Sequence, residues 1–92
     1  MKELKKLALI LRALGINAKV FSEEITYKGV HDYDNIFCVC SKGMVHFDVW
    51  HDDDYFELHF TFKDTLVYDT LYFDNLLQVV SEITSTISKF EG

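Results

Sequence analysis

Proline is absent from this chain, glycine occurs four times, cysteine twice and tryptophan once. With so few chain-breakers, no segment reads as a disordered tail, a collagen-like repeat or a low-complexity linker. The glycines are isolated, so they form no phosphate-cradling loop, and no nucleophile elbow is present. An enzyme is therefore not expected, and no cofactor is implied. Basic side chains are also scarce: nine Lys and Arg stand against fifteen Asp and Glu, for a net charge of −6. A nucleic-acid binder needs a cationic footprint, so direct nucleic-acid binding is not expected either. No apolar run approaches the roughly 20 residues of a membrane span. Met1–Arg12 spaces Lys2, Lys5, Lys6 and Arg12 among apolar residues at helical intervals, where a signal peptide would carry one continuous apolar block. The two cysteines, Cys38 and Cys40, are two apart on a predicted strand, which sets their Cα atoms about 6.5–7 Å apart, at the limit for a disulfide. Reduced thiols in a cytoplasmic protein are the simplest expectation.

What is present is 92 residues, 49% of them hydrophobic, enough for a single domain spanning 1–92 and no second core. Leu4, Leu7, Ala8, Leu11 and Leu14 form one helical stripe, so the spacing predicts a first helix over Lys2–Leu14. Gly15 can take the left-handed position behind it, with Ile16 as the hydrophobic contact of the cap. Asn17–Lys28 has strand character, with a bulge expected near Ser22–Glu24 where alternation breaks, and Lys28–Tyr33 reads as a loop. Asp34–Ser41, Met44–His51, Tyr55–Phe62 and Thr65–Tyr72 read as four more strands, joined by turns at Lys42-Gly43, Asp52–Asp54 and Lys63-Asp64. In the last strand Leu66, Tyr68 and Tyr72 compete with Val67 and Leu71 for the core. Asp74 is the expected N-cap of a second helix over Asn75–Phe90, with Leu76, Val80, Ile83, Ile87 and Phe90 as its stripe and Ser81, Thr84, Ser85, Thr86 and Ser88 as polar positions. The order α-β-β-β-β-β-α with short turns makes a two-layer α+β fold: an antiparallel meander of five strands with the N- and C-terminal helices packed on one face. The other face stays open.

Register then sorts the strand residues. A Lys42-Gly43 turn pairs Ser41 with Met44, Cys40 with Val45, Cys38 with Phe47 and Ile36 with Val49. The uniformly apolar Phe56, Leu58, Phe60 and Phe62 belong with Val45, Phe47 and Val49 beneath the helices, because a one-residue slip would invert the set. The open face then carries Phe37, Val39, Met44, His46, Asp48, Trp50, Tyr55, Glu57, His59 and Thr61. A plain solvated face would be rich in Thr, Lys, Glu and Ser. Aromatic residues interleaved with acids and histidines suggest a binding surface, unless the Lys28–Tyr33 loop or sheet curvature covers Phe37 and Trp50.

The acidity is concentrated. Residues 1–30 carry +3, residues 31–92 carry −9, and Asp48–Glu57 holds five acids with no Lys or Arg. Such asymmetry points to a partner-facing field. Zinc ligation by Cys38, Cys40, His46, His51 and His59 needs convergent ligands, and the register sends the cysteines and His46 and His59 to opposite faces. If the turn at Asp53-Asp54 has two residues, Asp48 faces His59; if four, Asp48 faces Glu57, at an electrostatic cost. The consecutive acids Asp52, Asp53 and Asp54 lack the alternation and glycine of a calcium loop. The expectation is a small acidic, non-enzymatic binding protein that docks on a basic protein surface through Phe37, His46, Asp48, Trp50, Asp52, Asp53, Asp54, Tyr55, Glu57 and His59. An inhibitor or immunity-type protein mimicking nucleic acid, as in phage anti-defence, is one form this would take. The alternatives are a homodimer or chaperone-like module built on the open face, and a small-ligand or metal site centred on Trp50, His46 and His59.

Overall fold

The structure is a computed structural model. It describes residues 2–52, 54–63 and 65–91, with the backbone alone at 66–69 and 91. The elements are α1 (Lys2–Ala13), β1 (Asn17–Tyr27), β2 (Val30–Lys42), β3 (Val45–His51), β4 (Phe56–Phe62), β5 (Thr65–Phe73) and α2 (Leu76–Glu91). The strands form one antiparallel sheet in sequential order, β1-β2-β3-β4-β5. This is the expected open-faced α+β meander between two helices. Among the described residues no helix is long and apolar enough to cross a membrane.

Both helices lie on one face. Leu4, Leu7, Ala8 and Leu11 of α1 and Val79, Ile83 and Ile87 of α2 share a buried cluster with Cys38, Cys40, Val45, Phe47, Val49, Phe56, Leu58 and Phe60 of the sheet. At its centre the rings of Phe47 and Phe60 stack with centroids 4.9 Å apart. Thr86, expected on a polar helix face, is buried here too. Leu71 and Phe73 pack against the cluster while Tyr72 is exposed, which settles the facing of the second half of β5; the side chains of Leu66, Val67 and Tyr68 lie outside the described residues.

The helix ends differ from expectation in detail. α1 stops at Ala13, so Leu14 leaves the stripe and is 52% exposed in the cap turn. Gly15 takes φ 83. The Gly15 N–H donates to the Arg12 carbonyl and the Ile16 N–H to the Leu11 carbonyl, the two bonds of a Schellman cap. At α2 the N-cap is Asn75, not Asp74: its Oδ1 accepts from the Gln78 N–H at 3.0 Å, and the Gln78 side chain reaches back to the Asp74 N–H.

Three turns shape the sheet. The Lys42-Gly43 turn shifts to Gly43-Met44, because Lys42 pairs with Val45, Cys40 with Phe47 and Cys38 with Val49. Gly43 takes φ 62 at the first central position, as a type II′ turn requires. Met44 is thus a turn residue, 61% exposed, rather than a member of the open face. Each β2 residue meets a partner two positions along β3 from the expected one, a full side-chain period, so the division into faces survives.

The second departure is larger. Lys28–Tyr33 is not a loop: Lys28 and Gly29, at φ 54 and 79, form a tight turn with both central residues left-handed, the type I′ pattern. β2 therefore starts at Val30, and Tyr27 pairs with Val30. The bulge lies on β2, where Asp32 is the extra residue between His31 (opposite Thr26) and Tyr33 (opposite Ile25), not on β1 at Ser22–Glu24. β2 pairs with β3 only from Cys38 onward. Its first half, with the end of β1, projects past the sheet as a two-stranded arm, and the molecule measures 47 × 26 × 21 Å. Tyr27, Val30 and Tyr33 are exposed along this arm. The third turn is short. The Asp52 N–H donates to the Tyr55 carbonyl at 2.9 Å and His51 pairs with Phe56, so the two-residue alternative holds.

Candidate functional site

The face away from the helices carries Phe37 and Val39 of β2, His46, Asp48 and Trp50 of β3, and Glu57, His59 and Thr61 of β4, all half-buried. Pairing places Asp48 opposite His59, Trp50 opposite Glu57 and His46 opposite Thr61. No two carboxylates are set directly across from each other in these pairs. Along each strand the histidines take the neighbouring acids. His46 Nε2 lies 3.6 Å from Asp48 Oδ1, and His59 Nε2 lies 3.0 Å from Glu57 Oε2.

Across the strands runs a continuous ladder of rings. Phe21 and Phe37 stack at 5.8 Å between centroids, Phe37 and Trp50 tilt together at 5.5 Å, and Trp50 meets His59 edge-on at 5.0 Å. The ladder crosses four of the five strands. Trp50 is fixed in plane by its indole Nε1–H, which donates to Asn35 Oδ1 at 3.0 Å, and Lys19 Nζ lies 5.3 Å over the Phe21 ring. Lys28–Tyr33 forms the turn and strand of the arm rather than a covering loop, and Phe37 and Trp50 remain half-buried.

Phe21, Lys19 and Asn35 were not among the expected site residues. Phe21 was legible in principle: Lys19, Phe21 and Glu23 alternate against the core-facing Ala18 and Val20. Glu23 and Glu24 obscured that alternation. Asn35 becomes visible only once the β2–β3 register is known.

The remaining expected residues gather at one end. The meander brings the β1–β2 turn, the β3–β4 turn and the β5–α2 junction to the same end of the sheet, and with them Glu23, Glu24, Asp32, Asp34, Asp52, Asp54, Glu57 and Asp74. The opposite sheet end carries Lys19, Lys42 and Lys63, with Arg12 beside it donating to the Ala18 carbonyl. Lys2, Lys5 and Lys6 lie in the helix layer. The sheet thus has a mainly acidic pole, with Lys28 at the tip of the arm, and a basic pole. Tyr55 Oη donates to Asp52 Oδ2 at 3.2 Å, and its ring meets Tyr72 edge-on at 5.3 Å. That hydrogen bond, with the charge of Asp52 behind it, pushes the Tyr55 phenol above its ordinary pKa. Asp54 is exposed, and Asp53 lies outside the described residues.

Between the base of the arm and the β3–β4 turn is a cleft of about 430 Å³. Its walls include Tyr33, Asp34 and Asn35 from β2 and Trp50, Asp52, Tyr55 and Glu57 from the β3–β4 hairpin, with Leu4, Ile36 and His51 on the helix side.

Cys38 and Cys40 are free and fully buried in the core, their sulfurs 3.7 Å apart. The hydrogen bond with Cys38, added to burial, pushes the Cys40 thiol far up. His51 also turns to the helix side, its ring 4.4 Å from that of Phe56. The five residues considered for zinc are therefore divided between the two faces. Among the described residues no group of three or more His, Cys, Asp or Glu side chains is placed to hold a metal ion. No protein family matches the chain, and no curated protein and no solved structure matches it.

Proposed function

We propose that this protein is a non-enzymatic, cytoplasmic binding protein whose open sheet face docks on a basic protein surface. The observation that carries the reading is the ring ladder Phe21–Phe37–Trp50–His59 on a face that no helix covers. Large aromatic area at low entropic cost is what a binding hot spot needs. The acidic pole beside it supports a cationic partner: Asp48, Asp52, Asp54 and Glu57 would steer a basic surface toward Trp50. An inhibitor that stands in for nucleic acid on a basic enzyme is one protein of this kind. The buried reduced thiols suit a reducing compartment.

Charge also weighs this reading against a homodimer through the open faces. Among the described residues, the Lys, Asp and Glu side chains on that face are Lys19 against Glu23, Asp48 and Glu57. A second copy would bring the same acidic excess to the interface, whereas a basic partner relieves it.

The test is capture from the producing cell, or its host, with wild type, Trp50→Ala and Phe37→Ala as baits. The reading expects a protein with a basic surface that both substitutions release and that associates more slowly as salt rises. A bait that retains no basic protein, or retains the same one regardless of Trp50 and Phe37, overturns it.

A further inference from the structure

We infer that the cleft between the β1–β2 arm and the β3–β4 turn is a receptor site for a single arginine side chain of the partner. This rests on the reading of the open face as a docking surface for a basic protein, and it names the group that would enter deepest.

The cleft exists because of two features of the backbone. The type I′ turn at Lys28-Gly29 prolongs β1 and β2 beyond the end of β3. The tight turn after Asp52 sends the next hairpin off beside that overhang. The gap between two projecting hairpins is open to solvent at one end of the sheet, and its volume of about 430 Å³ far exceeds a guanidinium group.

Its lining is chemically uneven. Four rings, Tyr33, Trp50, His51 and Tyr55, share it with three carboxylates, Asp34, Asp52 and Glu57. Lys and Arg are absent from the described residues that line it. Aromatic faces attract cations through the ring quadrupole, and the planar guanidinium stacks on them as the compact ammonium of lysine does not. Carboxylates at the rim supply charge-assisted hydrogen bonds to the guanidinium N–H groups. Trp50 is pre-set for this role. Its indole N–H is already held by Asn35, so no ordering of that ring is left for the ligand to impose. The negative field at the rim is felt by Tyr55, whose phenol is held protonated by Asp52, with Glu57 adding to the effect. Trp50 also belongs to the ring ladder, so an arginine in the cleft would abut the docking face.

The site can be probed without knowing the partner. The full-length protein is titrated with N-acetyl-arginine amide, with N-acetyl-citrulline amide as the neutral control of the same shape. The signal is the Trp50 indole N–H resonance. The arginine probe should shift it saturably with a dissociation constant on the order of millimolar, and the citrulline probe should not. Glu57→Gln and Asp52→Asn should each weaken the arginine probe by about tenfold or more, the loss that a hydrogen bond between charged groups carries. Both replaced side chains lie at or near the surface, and unchanged amide dispersion shows that the fold is intact. No saturable shift, an equal response to citrulline, or wild-type affinity in both variants overturns the arginine site. Phe37 does not line the cleft, and this separates the two claims. Loss of the probe with partner capture still dependent on Phe37 removes the arginine site alone. Saturable probe binding with capture indifferent to Phe37 removes the docking face alone.

Discussion

Two phenylalanines flanking the Gly43-Met44 turn, one six residues before it and one three residues after it, give the sharpest test of which face is covered. Phe47 on β3 is fully buried beneath the helices, with its ring 4.9 Å from Phe60. Phe37 on β2 is half-buried on the open face, between Phe21 at 5.8 Å and Trp50 at 5.5 Å. Phe47→Ala removes a buried ring and leaves a cavity, which costs about 3–5 kcal/mol. Phe37→Ala removes two ring–ring contacts worth about 0.5–1.5 kcal/mol each, and solvent fills the space, so about 1–2 kcal/mol is expected. For 92 residues at about 2.1 cal/mol/K each, every kcal/mol lowers Tm by about 5 °C. Calorimetry should therefore show Tm falling by about 15–25 °C for Phe47→Ala and about 5–10 °C for Phe37→Ala. Urea unfolding followed by far-UV circular dichroism should give the same ratio. Equal losses would refute the reasoning, because Phe37 would then be as thoroughly packed as Phe47. A Phe37→Ala loss that grows with protein concentration would identify the cover as a second copy.

Three further outcomes follow from local geometry. Lys28 occupies a left-handed position that a type I′ turn prefers to fill with Asn, so Lys28→Asn should raise stability by about 0.5–1 kcal/mol; an unchanged or lower midpoint would mean that the Lys28 contact over the Tyr27 ring matters more. Asn75→Ala should cost about 1 kcal/mol by removing the bond to the Gln78 N–H, and Asp74→Ala much less; the reverse order in thermal melts would contradict the cap assignment. The Tyr55 phenol sits above its unfolded value, so folding favours its protonated form below about pH 10, and that contribution is lost as pH rises through the higher native value. In an NMR titration Asp52→Asn should move the Tyr55 midpoint down toward the ordinary phenol value, and an unmoved midpoint would count against the Asp52 bond.

How far these features were legible in the sequence depends on which physical signal each one rests on. The faces of β3 and β4 were readable because Val45, Phe47, Val49, Phe56, Leu58 and Phe60 alternate strictly with polar or aromatic neighbours. They survived a misplaced turn because the β2–β3 pairing slipped by a whole side-chain period. Asp48 opposite His59 was one of two options, and avoidance of facing carboxylates favours the one observed. The arm was not legible. Val30–Asn35 is Val-His-Asp-Tyr-Asp-Asn, rich in residues that strands usually avoid, and lysine is an unusual first residue for a type I′ turn. Pairing with β1 overrides those local preferences. With the arm missed, Tyr33 and Asn35 could not be joined to Trp50, and the cleft stayed hidden. Phe21 was lost for a related reason, since two glutamates masked the alternation of β1.

The central claim is that the ring ladder and the acidic pole together bind a basic protein. The most direct measurement is the association rate of the captured partner with wild type and with the Phe37→Ala, Trp50→Ala double variant, at about 0.05 M and 0.3 M salt, over which exposed charges become screened. Docking through the ladder and the acidic pole requires a wild-type rate that falls steeply with salt and a double variant that no longer retains the partner. A salt-independent rate, or a double variant that binds the partner as wild type does, would contradict it.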